Sequence, residues 1–166
     1  MRSLKLKVLL VVVASLICNS ALADLPVSFV HESSLPYDFS PSNYDNSPSN
    51  YDNSISNYDN SPSNYDNSES NYDNIASNYD NRRNGDRRLI YKDGYSLKFA
   101  GYYVAAKNGT TNFFSPRGKR IFYNPKNGRG IFGGKDGTFC GVLANVNGEL
   151  SLALTERGEK ILFLSQ

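Results

Sequence analysis

The 166-residue chain has no tryptophan, one methionine, one histidine and two cysteines. Each shortage removes a class of explanation. A lone His31 cannot supply a histidine-based metal set, and nothing in the sequence pairs it with Cys140 as a base for a nucleophile. Cys18 falls in the leading apolar stretch, and a mature chain cleaved after that stretch would keep only Cys140 and could form no intramolecular disulfide. No apolar run approaches the ~18–20 residues needed to cross a bilayer core. Glycine is missing from residues 1–84, and Lys and Arg are missing from residues 40–81.

The N-terminus is patterned for export. Arg2, Lys5 and Lys7 precede an apolar run over residues 8–17, and Ala21-Leu22-Ala23 supplies a small-x-small cleavage pattern. This predicts a signal peptide over residues 1–23, cleavage near Ala23, a mature chain without a transmembrane segment, and secreted or periplasmic residence. Ile17, large and branched, opposes lipidation at Cys18.

Residues 40–81 repeat one seven-residue unit six times: S-P-S-N-Y-D-N twice, then S-I-S-N-Y-D-N, S-P-S-N-Y-D-N, S-E-S-N-Y-D-N and I-A-S-N-Y-D-N. The second position varies most, as Pro41, Pro48, Ile55, Pro62, Glu69 and Ala76. Aliphatic content is low, and backbone ordering costs ~1–2 kcal/mol per residue. The composition therefore predicts a disordered array with local Asx turns. A solenoid is disfavoured because the units offer no inward apolar residue except Tyr. A strand is disfavoured because an odd period puts successive tyrosines on opposite faces. Proline and repeated Asn and Asp oppose helix.

Residues 24–39 read as a leader and 82–88 as a basic linker, and 89–166 as an all-β domain. Asp93-Gly94, Asn108-Gly109, Arg117-Gly118, Asn127-Gly128, Asp136-Gly137, Asn147-Gly148 and Arg157-Gly158 punctuate the last part at near-regular intervals. Such pairs suit tight turns, so the runs between them predict an antiparallel hairpin meander or a small barrel. Alternation places Cys140, Val142, Ala144 and Val146 on one face of a strand, and Leu150, Leu152 and Leu154 on one face of the next. Residues 160–164 read as a final strand, with no amphipathic helix after Arg88. The fold expected is thus a mostly disordered N-terminal half followed by an all-β C-terminal domain.

Charge is divided. Residues 82–166 carry 15 Lys and Arg against six acids, whereas residues 40–81 carry six Asp and Glu69 without a cation. This suggests an acidic array lying across a basic domain. The candidate binding residues are the array tyrosines Tyr44, Tyr51, Tyr58, Tyr65, Tyr72 and Tyr79, and the basic cluster Arg117, Lys119 and Arg120. Regularly spaced aromatics can sum weak contacts through effective concentration, and a basic surface attracts anionic polymers. No catalytic set, cofactor motif or metal site is spelled out. The repeated Asp and Asn lack the glycines that let calcium loops close round an ion. Cys140 in an apolar strand reads as a small hydrophobe, with an intermolecular disulfide as its other reading.

An export signal, tandem S-P-x-N-Y-D-N units and a short Gly-rich β-region together resemble a loose set of uncharacterised exported bacterial proteins. The resemblance implies periplasmic or extracellular residence and carries no activity. The sequence thus points to a non-enzymatic exported binding or envelope-associated protein whose array is a spacer or a multivalent Tyr/Asp contact strip. Its partner would be an anionic envelope polymer or a protein, with no nucleic acid expected. The alternatives are a small secreted hydrolase or effector using C-terminal carboxylates, and a periplasmic structural or assembly factor.

Overall fold

The computed structural model describes residues 24–146 and 148–166, so the expected signal peptide lies outside the described residues. Eight strands close into one barrel: Leu25–Phe29 (β1), Arg88–Asp93 (β2), Ser96–Ala105 (β3), Thr111–Phe114 (β4), Arg120–Asn124 (β5), Gly130–Gly133 (β6), Phe139–Val146 (β7) and Glu149–Leu154 (β8). The helix Glu156–Leu164 (α1) follows. Strands β2 to β8 form an antiparallel meander whose first five connections fall at the first five Gly-containing pairs and whose last includes Gly148. The all-β expectation holds for this region in its barrel form.

The leader supplies the closing strand. β1 lies between β2 and β8 and runs parallel to both, with Leu25 opposite Leu89 and Val27 opposite Leu152. A parallel pair needs a long crossover, and here the repeat array is that crossover. An eight-stranded barrel is just wide enough for side chains to fill. Leu25, Val27, Leu89, Phe113, Phe122, Ile131, Cys140, Leu152 and Leu154 do so, joined by Leu162 of α1.

Two expectations fail locally. Residues 160–164 are helical, because Thr155 turns the chain back over β7 by donating from both its amide and its hydroxyl to Cys140 O, at 2.9 and 3.0 Å. Gly158 and Leu162, one helical turn apart, are the buried residues of α1. A Cβ on Gly158 would stand 2.3 Å from Cys140 O, so Arg157-Gly158 marks a close approach rather than a turn. The alternation in β7 also breaks. Phe132 pairs with Phe139 and Ile131 with Gly141, which leaves Cys140 as the extra residue of a bulge. Cys140 therefore joins the barrel interior, whereas Val142 and Ala144 pack outside.

The largest correction concerns the array, which is ordered rather than disordered. Each unit folds into two tight turns; in the first, Asn43 N–H donates to Ser40 O and Asn46 N–H to Asn43 O. The fourth-position Asn caps the second turn through its Oδ1, which accepts from the amide of the unit's Asp at 3.0–3.1 Å. The seventh-position Asn points inward, 0–3 % exposed in every unit. Its Nδ2 donates to carbonyls eight and six residues back, at 2.7–2.9 Å and 2.9–3.4 Å. Adjacent units are thereby bridged by side-chain amides. The inward residue that a solenoid requires is asparagine, not an apolar group.

Candidate functional site: a tyrosine ladder and a polar groove

The array lies against the outer face of the barrel, which presents donors at the repeat's own period. Tyr123 Oη donates to Asn53 O at 2.8 Å, Arg120 Nη2 to Asn60 O at 2.9 Å, and Tyr102 Oη to Asn74 O at 2.6 Å. Asn112 Nδ2 donates to Asn67 Oδ1 at 2.9 Å, and Thr110 Oγ1 to Asp59 O at 3.0 Å. Burial pushes both the Tyr102 and Tyr123 hydroxyls upward, which keeps them neutral donors.

The irregular second positions of the repeat are docking points. Ile55 packs on the outer cluster of Tyr123, Phe132 and Phe139, close against Gly137. Ala76 fits beside Tyr102 and Phe114 next to Gly118, whose φ of +82° is open to glycine at little cost. Glu69 accepts from the Arg120 amide at 3.0 Å and meets Lys119 Nζ at 3.4 Å. These departures from S-P were visible in the sequence, but nothing there linked them to a surface.

A seventh rung precedes the six repeats. Tyr37-Asp38-Phe39 makes the same turn as Tyr-Asp-Asn, and Asp38 O accepts from Asn46. Phe39 replaces the inward asparagine and is buried in the outer cluster, with Arg129 stacked over its ring at 5.5 Å.

The predicted site residues separate. All six array tyrosines project outward, 62–77 % exposed, and Tyr37 extends the row at 65 %. Arg117 is exposed at the β4–β5 turn and Lys119 is exposed but faces Glu69. Arg120 is not a surface cation, since it is 8 % exposed beneath the array. Its Nε donates to Asn112 Oδ1 at 2.7 Å and its guanidinium lies over the Tyr123 ring at 4.8 Å. Burial pulls this guanidinium down to about 10, still charged at neutral pH. The expected basic patch is therefore partly a docking device. The acidic array does lie across the basic domain. Its ionic contacts with the residues after it are few, Glu69 with Lys119 and Asp80 with Arg87.

Cys140 is fully buried and its thiol is pushed up to about 12 by burial. Neither a nucleophilic role nor a disulfide to a second chain fits that position. His31 Nδ1 lies 2.6 Å from Glu156 Oε1 at the start of α1, on an open surface rather than in a cleft. Among the described residues no group of three or more His, Cys, Asp or Glu is arranged to hold a metal ion. No helix among them is long and apolar enough to cross a membrane.

A groove of about 840 Å³ runs between the first units of the array and the β5–β6 turn. Asp38, Asp45, Asp52 and Asp59 line it, with Lys126 and Arg129 among the lining residues from the barrel. Asn127, at φ 60°, makes the turn that carries these two cations. The chain matches no family model, no curated protein and no solved structure.

Proposed function

We propose that the protein is a non-enzymatic exported binding protein whose repeat array is a rigid, multivalent contact strip for an envelope component. One observation carries this reading: every unit presents its Tyr outward from a turn held by an Asn cap and an Asn bridge. A spacer needs only length. This array instead fixes the backbone turn from which each aromatic ring projects, which sets the spacing of the contacts and lets weak ones add.

The binding face is the Tyr/Asp side of the ribbon, with the basic surface around Arg117 as a secondary contact for an anionic polymer. Capture of cell-envelope fractions by the purified protein tests the reading. Tyr44, Tyr51, Tyr58 and Tyr65 are changed to Ala singly and together, with thermal melting as the folding control. Single changes should weaken capture, and the fourfold variant should abolish it without lowering Tm. Undiminished capture by the fourfold variant would overturn the proposal.

A further inference from the structure

The groove beside the ladder carries a second, chemically distinct prospect, and it rests on the binding reading above. Its carboxylates repeat at intervals of one unit, at Asp45, Asp52 and Asp59, and no hydrogen bond or ion pair among the described residues engages their side chains. The inward asparagines supply an independent observation. Along the array their Oδ1 atoms meet different fates. Asn60 and Asn67 have theirs taken by Thr110 and Asn112 of the barrel, and those of Asn74 and Asn81 are sealed from solvent. Asn46 and Asn53 are 2 and 3 % exposed, their Nδ2 groups are fixed by two bonds each, and no donor reaches their Oδ1. Both line the groove. The Oδ1 atoms of Asn74 and Asn81 also lack a partner among the described residues but lie away from the groove, so it is the lining position of Asn46 and Asn53 that makes theirs acceptors within reach of a ligand.

We infer that this groove binds a linear glycan bearing ammonium and hydroxyl donors, that is, a polymer of amino sugars. Carboxylates spaced one per unit offer charge-assisted acceptors to ammonium groups, and the asparagine oxygens between them offer neutral acceptors to hydroxyls. Lys126 and Arg129 furnish donors for ring and hydroxyl oxygens. The periodicity suits a polymer whose own groups recur. An extended peptide fits less well. The lining is Asp, Asn, Lys, Arg and Gly without an apolar subsite. The closed barrel also leaves no strand edge along which a peptide could pair.

Titration calorimetry of the purified protein tests the inference with glucosamine oligomers of two to six residues, their N-acetylated counterparts, and hexalysine. The glucosamine hexamer should bind, with affinity rising as the oligomer lengthens. The double variant Asp45→Asn, Asp52→Asn should weaken it by about tenfold or more, the loss of at least one charge-assisted hydrogen bond. The fourfold tyrosine variant should bind the hexamer normally even where it loses capture of envelope fractions, so the two readings fail separately. Equal or tighter binding of hexalysine would show a generic cation groove and overturn the glycan assignment. Absence of binding to every glucosamine oligomer, or binding that ignores the aspartate variant, would overturn it as well.

Discussion

The barrel and the ribbon on its flank are held by opposite chemistry. The barrel buries Phe113, Phe122, Ile131 and Leu152 at zero exposure, each a favourable transfer of ~1.5–3 kcal/mol. The ribbon buries asparagines, and its two bridging bonds per unit are each worth only ~0.5–1.5 kcal/mol net. Set against a backbone ordering cost of ~1–2 kcal/mol per residue, that ladder cannot sustain the ribbon alone. What completes it is the barrel, through Tyr102, Arg120 and Tyr123 and the sockets for Phe39, Ile55 and Ala76. Order in the array is a property of the complex between the two regions.

The sharpest way to break this comparison is to separate the parts. A synthetic peptide of residues 40–81 should show an unordered circular dichroism spectrum and no protected amides. The same amides in the intact protein should be protected against hydrogen exchange. A folded isolated peptide would mean that the ladder is self-sufficient.

Next in size is a pair of deletions, one in each region. Phe122→Ala removes a fully buried ring from the barrel and should cost about 4 kcal/mol, with both regions unfolding together. Asn67→Ala leaves Ser61 O without its bridging donor and the Asn112 side chain without its acceptor, at ~1–3 kcal/mol each, whereas Asp59 O keeps its bonds from Asn108 and Thr110. Its effect should be confined to the ribbon, read as faster exchange in residues 54–74 while the barrel amides stay protected. Loss of barrel protection in Asn67→Ala would show that the two regions unfold as one unit.

Much of the barrel was legible, because hairpin turns write themselves locally as Asp-Gly and Asn-Gly pairs. The strand β1 was not. Five residues in a polar leader carry no signal that they will pair with partners more than sixty residues away. Nor was α1, whose helical state depends on Gly158 reaching Cys140 O across the fold. The ribbon exposes the limit of composition. A shortage of apolar residues predicts disorder for a free chain. Here asparagines bridge successive turns and a neighbouring surface supplies the remaining donors, neither of which composition registers. The array tyrosines are exposed and Arg120 is buried, and sequence spacing alone does not tell Arg120 from Arg117 and Lys119.

Smaller changes probe the contacts between elements. Gly158→Ala forces a methyl group onto the Cys140 carbonyl and should cost about 1–3 kcal/mol by overpacking, measured as a lowered midpoint in urea. Tyr123→Phe removes only the hydroxyl that serves Asn53 O and should cost about 1 kcal/mol. An unchanged midpoint in both variants would detach α1 and the ribbon from the stability of the barrel.

The smallest expected effect lies where β7 meets α1, at Asp136. Its carboxylate accepts from Thr138 Oγ1 at 2.8 Å and from Arg157 Nη2 at 2.7 Å. Partial burial acts to raise its pKa, but the hydrogen bonds from Thr138 and Arg157 outweigh that and hold it below the usual carboxylate range. A depressed folded-state value means stabilisation that is complete above the ordinary aspartate value, near about pH 4, and lost as pH falls through the lower folded value. Both partners of the pair are about half exposed, so the contribution should be only about 0.5 kcal/mol. Asp136→Asn should therefore melt slightly below the parent protein at pH 7, and the gap should close on acidification toward pH 2. A gap that persists unchanged at pH 2 would assign the difference to shape rather than charge, and would remove Asp136 from the contacts that tie the helix to the barrel electrostatically.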